Sequence, residues 1–250
     1  MKIFITGVSA GIGRTLTKKL IQSEHEVWGI ARKQKALDEL KTELLSKHLC
    51  LSSCDVENLA EMHYVAKQMR EKDFIPDIIV LNAAVNLQNP VQIFDFELYQ
   101  KSFNINLHGA LFWISEFLPD FLERKSGQFI AISSTSAFRH GYGGISYSAS
   151  KAALSLTFRR LRIHFAKTGL QFSTVYFGPV DTKLWRGPKI PIIIPSVDRA
   201  ADYIIKTFQR NGGEFYFPFF TTFLSRLSIF FPESLFIFFS RNLTDKYGGD

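Results

Sequence analysis

Short, nearly continuous apolar runs alternate with longer amphipathic stretches along most of the chain. Runs such as KIFIT and IIVL lack polar alternation, as strands covered by helices on both faces require. Strands are predicted at Lys2–Thr6, Glu26–Ile30, Leu49–Ser53, Asp77–Leu81, Gln128–Ser133, Gln171–Tyr176 and Glu214–Phe217. Helical spacing of apolar residues predicts helices at Ile12–Gln22, Gln34–Ser46, Asn58–Arg70, Lys101–Lys125, Tyr147–Thr168 and Val197–Gln209. Repeated strand–helix units imply right-handed crossovers and a doubly wound parallel α/β sheet, with ligands beyond the carboxyl ends of its strands. No repeat or linker interrupts residues 1–218, which read as one domain, followed by an aromatic-rich helical tail at 219–250.

Two local patterns carry chemistry. The strand Lys2–Thr6 runs into Gly7, Gly11 and Gly13 and then an amphipathic helix. Glycines so placed permit a tight turn and a close backbone approach to a pyrophosphate, which the helix N-terminus then holds. In GGISYSASKAALSL, Tyr147 and Lys151 stand four residues apart, on one face of a helix. An ammonium beside a phenol lowers the phenol pKa, so Tyr147 is expected to exchange a proton near neutral pH. A helix can carry that pair by chance; the other motifs decide its meaning.

Taken in order, these motifs make the chain similar to the short-chain dehydrogenase/reductase family, in its short, non-extended branch, from Lys2 to about Pro218. Thr6–Gly13 matches the cofactor glycine motif, with Gly7, Ser9, Gly11, Ile12 and Gly13 at the cofactor. Cys54-Asp55-Val56 matches an Asp-Val after the third strand, where Asp55 would approach the adenine. Asn82-Ala83-Ala84 matches Asn-Ala-Gly, with Ala84 in place of glycine. Asn106 in NINLHG matches the active-site asparagine, and Ser134 lies thirteen residues before Tyr147, the usual separation. Phe177-Gly178-Pro179-Val180-Asp181-Thr182 matches the segment lining the nicotinamide, with Phe177 in place of proline and Gly178, Val180 and Thr182 as contacts.

The resemblance implies a Rossmann-type fold and hydride transfer at a nicotinamide, coupled to proton transfer by Tyr147. Ser134 would polarise the carbonyl or alcohol oxygen. Lys151 would lower the Tyr147 pKa and contact the ribose, and Asn106 would hold a water linking Lys151 to solvent. Ser133, Tyr142 and Asn104 are the neighbouring rivals to Ser134, Tyr147 and Asn106. An acid ending the second strand would select NAD; here that strand ends Gly29-Ile30-Ala31-Arg32-Lys33. Arg32 is suited to a 2′-phosphate, so NADP(H) is expected. Lys33 and Arg14 add charge nearby or are simply solvated. The implied activity is an NADP(H)-dependent carbonyl reductase or alcohol dehydrogenase acting on a small lipophilic substrate. A 3-oxoacyl-thioester reductase and a catalytically idle NADP(H)-binding regulator are the alternatives.

Composition adjusts the picture at its edges. The net charge of +7 comes without a basic run or nucleic-acid motif, so an anionic cofactor pocket and solvated lysines account for it. Cys50 and Cys54 are too few for a disulfide framework, and they form no metal-ligand spacing with the six histidines. They read as free thiols of a reducing compartment. With the first strand starting at position two, there is no room for a signal peptide, and the sequon at Asn242 carries no weight; a cytoplasmic protein is expected. Helices Lys101–Lys125 and Tyr147–Thr168 carry apolar residues such as Phe112, Phe117, Leu154 and Phe158 on more than one face, which predicts a homodimer or homotetramer. Trp185 and Ile190–Ile194 either line a lipophilic pocket or pack on the body of the protein. A large share of the twenty-five phenylalanines falls after Pro218, where Arg226, Pro232 and Glu233 break any stretch long enough to span a bilayer. Two short amphipathic helices flanking Pro232 are predicted there, as a substrate lid, a subunit contact or a segment resting on a membrane surface.

Overall fold

The computed structural model describes residues 1–87, 94–138, 144–182, 184 and 194–236. Seven strands form one sheet: β1 (Lys2–Thr6), β2 (Glu26–Ala31), β3 (Leu49–Ser53), β4 (Ile78–Leu81), β5 (Gly127–Ser134), β6 (Leu170–Phe177) and β7 (Gly213–Phe217). Their order is β3-β2-β1-β4-β5-β6-β7, and every neighbouring pair is parallel. The sequence reverses direction across the sheet between β1 and β4, and ligands of such sheets bind at that switch point.

The helices are α1 (Gly11–Gln22), α2 (Gln34–Leu44), α3 (Leu59–Glu71), α4 (Phe96–Phe103), α5 (Gly109–Arg124), α6 (Ile145–His164), α7 (Val197–Thr207) and α8 (Phe219–Leu227). Successive residues of each strand serve opposite faces. Ile3 and Ile5 pack with Leu16, Leu20, Leu37, Leu40 and Ile204, on the side of α1, α2 and α7. Phe4, between them, packs with Met62, Val65, Trp113, Phe117 and Phe158, on the side of α3, α5 and α6. Its ring centroid lies 4.5 Å from that of Trp113. Burial on both faces explains why these strands show no polar alternation.

Element boundaries move by a few residues from those expected, and one helix differs in kind. The predicted helix Lys101–Lys125 begins earlier, at Phe96, because Asp95 accepts from the Leu98 amide and caps it. It is then interrupted by a π-turn at Asn104–His108 before α5. Asn58 caps α3 rather than entering it, its Oδ1 accepting from the amides of Ala60 and Glu61. The helix expected to reach Ser46 stops at Leu44, with Leu45 in the left-handed region. Helix α6 starts two residues before Tyr147 and ends at His164.

The tail begins as expected, with a short helix before Pro232. Helix α8 is fastened by its polar residues. Arg226 Nη1 donates to the Tyr216 hydroxyl at 2.8 Å, and that hydroxyl donates to Glu214 Oε2 at 2.7 Å. Arg159 of α6 grips the other oxygen of Glu214 through two donors at 2.9 and 3.0 Å. Residues 233–236 are helical as well. Among the described residues, no helix is long and apolar enough to cross a membrane.

Candidate active site

A cleft of about 1130 Å³ opens at the carboxyl ends of the strands, across the β1/β4 switch point. One end of its floor is the glycine turn between β1 and α1. Gly7 and Gly11 have φ of +79° and +56°, where side chains are strained. A Cβ on Gly13 would stand 2.3 Å from the Gly7 carbonyl oxygen, so only glycine lets α1 close beneath the turn. Asn82, at the end of β4, ties this turn down. Its Nδ2 donates to the carbonyls of Thr6 and Gly7 at 3.0 and 3.1 Å. The Thr6 hydroxyl in turn accepts from the amides of Asn82 and Ala83 at 3.0 and 2.9 Å. Sequence reasoning passed over this role of Thr6, although the residue stands directly before Gly7.

Ser9, Gly11 and Ile12 line the cleft, while Gly13 packs underneath. Ala10 caps α1 without a side-chain acceptor, and the first turn of that helix holds no acid. Backbone N–H groups at such a terminus suit an anionic phosphate, and the turn leaves the space a pyrophosphate needs. Arg32 and Lys33 follow β2 at the cleft wall, with no carboxylate at the end of that strand. Arg14 does not join them: it donates to the Ala36 carbonyl at 3.2 Å and pairs with Glu43 at 2.9 Å. Asp55 stays off the cleft wall, which Cys54 and Val56 form instead. Its carboxylate lies 3.8 Å from Arg32 and accepts from the Glu57 amide at 3.1 Å. Cys54 and Cys50 are free thiols, and burial pushes Cys54 up to about 12, which keeps it in the thiol form.

Ser134, Tyr147 and Lys151 meet on the far side of the cleft. Ser134 ends β5, its Oγ accepting from the Ser136 amide at 3.2 Å. Ser133, its rival, is turned into α6, with its Oγ 2.7 Å from that of Ser155. Tyr142 lies outside the described residues. Asn104 is spent on His108, at 3.2 Å.

The electrostatics differ from the expectation that Lys151 lowers the Tyr147 pKa. Part of Tyr147 faces the open cleft, yet surrounding protein atoms push its phenol above the ordinary value, and hydrogen bonding with Ser134 offsets this only in part. Lys151 is 2% exposed, and burial lowers it from 10.5 to about 8. Its Nζ donates to the Ile132 carbonyl at 2.7 Å and stands 5.9 Å from the centre of the Tyr147 ring. In this arrangement desolvation outweighs the mutual effect of the pair.

Asn106 stands behind these residues. It is buried in the π-turn, and its side chain is already engaged. Nδ2 donates to the Val85 carbonyl and to Ser150 Oγ, each at 3.0 Å, and Oδ1 accepts from the Val85 amide at 2.8 Å. Both amide protons are thus used, so the side chain fastens the segment after β4 to α6. Ser150 completes this tie and was not singled out in the sequence.

The remaining wall includes Phe177 at the end of β6, then Gly178, Val180 and Thr182, with Leu184 beyond. Phe177 extends β6 into register with Phe217 and meets its ring edge-on at 6.0 Å. Ala84 needs no glycine, because it is not among the residues with positive φ. Ile194 is buried; Trp185 and residues 190–193 lie outside the described residues. Several wall residues have no counterpart in the sequence reading, among them Thr135, Asn86, Ser136 and Ser225. Asn86 Oδ1 and Ser136 Oγ are buried without a hydrogen-bond partner.

A family model described as short chain dehydrogenase matches residues 1–189. The chain is 28% identical over 207 residues to a fatty acyl-CoA reductase of Acinetobacter baylyi, covering 80% of this chain and 70% of that one. It is 27% identical over 243 residues to an uncharacterized oxidoreductase of Myxococcus xanthus, covering 96% of both. Its fold is similar to that of a short-chain dehydrogenase from Sphingobium yanoikuyae in complex with NADPH. That likeness has a TM-score of 0.79 at 21% identity, over 91% of this chain and 92% of that one.

Proposed function

The chain belongs to the short chain dehydrogenase family, and from there we propose that it is an NADP(H)-dependent oxidoreductase interconverting a carbonyl and an alcohol on a small lipophilic substrate. The observation that carries this reading is the convergence of Ser134, Tyr147 and Lys151 on one cleft with the glycine turn. The turn and the open end of α1 suit a dinucleotide pyrophosphate. Arg32, at a strand end without an acid, suits a 2′-phosphate. The NADPH bound to the Sphingobium protein of similar fold supports the same choice.

Bound NADP(H) would supply or accept the hydride. The chain's own residues handle the proton and the oxygen. Ser134 donates a hydrogen bond to the substrate oxygen, where negative charge develops. Tyr147 delivers the proton to that oxygen. A phenol held above its ordinary pKa is protonated at neutral pH, the form that donates when a carbonyl is reduced. Lys151 brings positive charge to the site and would restrain the ribose of a bound cofactor, while Asn106 and Ser150 hold α6 against the segment after β4. The fatty acyl-CoA reductase relative points to acyl chains as one substrate class, and a 3-oxoacyl thioester would use the same groups.

The test is a panel of medium- and long-chain aldehydes, ketones and 3-oxoacyl thioesters, followed at the NADPH absorbance band. Oxidation of NADPH by at least one carbonyl class is expected. A chain that binds NADPH and turns over none of them would instead be a regulator.

A further inference from the structure

We propose that the outward face of α8 and the turn after it form a docking surface for an anionic membrane. The helix is amphipathic in the reverse sense to a helix of a water-soluble surface. Phe219, Phe220, Phe223, Leu224 and Leu227 follow the i, i+1, i+4, i+5, i+8 spacing of one helical face, and all are exposed. The opposite face is polar and turned toward the protein. Thr222 is buried, Ser225 lines the cleft, and Arg226 is bound to Tyr216. Ile229, Phe230 and Phe231 continue the apolar surface, with Phe230 82% exposed and Phe219 and Phe220 70% and 71%.

A water-facing helix buries its apolar stripe and solvates its polar one. This one does the opposite, which fits an apolar phase on its outer side. At nine residues α8 is too short to span a hydrocarbon core, which takes about 20, so it would lie in the interface plane. Charge points to the same occupant. From Phe219 to Pro232 the sequence holds no acid, Glu233 being the first, and the chain carries a net charge of +7. Both suit anionic headgroups.

The position of α8 links docking to the cleft. Ser225 lines the cleft, and a Cβ on Gly178 would stand 2.9 Å from Thr221 Oγ1, so the inner face of the same helix walls the site. A lipophilic substrate could then pass from bilayer to cleft along one helix. That consequence rests on the proposed carbonyl chemistry; the docking does not.

Sedimentation with phosphatidylglycerol–phosphatidylcholine vesicles tests the docking without any turnover. At low salt, the full chain is expected to pellet with these vesicles and at least ten-fold less with phosphatidylcholine alone. The combined variant Phe219→Ser, Phe223→Ser and Phe230→Ser should stay in solution while its circular dichroism is unchanged, since these side chains are exposed. As a second readout, Phe223→Trp emission should shift to the blue on adding anionic vesicles. The proposal is overturned if the wild type stays in the supernatant, or if the triple variant pellets equally well. It is also overturned if light scattering without vesicles shows that the substitutions halve the mass, which would make this face a contact between copies.

Discussion

Lys151 holds an ammonium where burial opposes its charge, and the direction of the effect can be followed through pH. Its folded pKa is about 8 against 10.5 in the unfolded chain. Between these values the unfolded chain binds more protons, so stability rises with pH across that window, and the cost of the charge is fully present below it. Lys151→Met should therefore stabilise the cofactor-free protein at pH 7, on the order of 1–3 kcal/mol, with the gain fading above pH 10. Chemical denaturation at the two pH values measures this; a variant less stable at pH 7 would refute it. Arg32 offers a second test at this scale. NADPH should bind at least about ten-fold tighter than NADH, about 1.4 kcal/mol. Ala31→Asp with Arg32→Ala should reverse that order by placing an acid at the end of β2. Equal dissociation constants for the wild type would remove Arg32 from the phosphate site. The identities of Tyr147, Lys151 and Ser134 were readable because spacing along one chain preserves them. The direction of the Tyr147 shift was not, because it depends on atoms brought around the phenol by distant segments.

At the scale of elements, the glycine turn was readable for a physical reason: positive φ and close approach admit one residue type, and that residue is visible in the sequence. The π-turn at Asn104–His108 left no such mark. It adds one residue to a helical turn without changing the apolar period around it, so Lys101–Lys125 read as a single helix. Asn106 shows what the turn accomplishes, since its side-chain amide is directed to Val85 and Ser150. Asn106→Ala should cost about 1–3 kcal/mol, because it leaves the part-buried Val85 amide and carbonyl without their partner. Urea unfolding would measure the loss, and an unchanged midpoint would show that the tie is unimportant. Helix α8 illustrates another limit. Its sequence displays two faces, but periodicity cannot say which one turns inward. That choice was made by the Tyr216 and Glu214 side chains contributed by β7.

For the whole molecule, the alternation of apolar strands and amphipathic helices was enough to specify a doubly wound sheet, because a parallel strand buried on both faces has few other homes. Subunit association is written less clearly. Phe117, Leu154 and Phe158 are buried inside the monomer and leave nothing for a partner, but α6 exposes Ile145, Leu156 and Ile163, and on these a homodimer or homotetramer is expected. Light scattering at micromolar concentration decides between these and a monomer, which would contradict it. The central claim remains that this cleft moves a proton through Tyr147 while a nicotinamide exchanges hydride. Tyr147→Phe removes the proton and keeps the ring, so it isolates that step. With a carbonyl substrate found in the panel, kcat should fall by about 10²–10⁴ while the Kd for NADPH stays within a few-fold of wild type. Turnover retained within a few-fold of wild type would mean that Tyr147 is not the proton donor and that the site has another chemistry.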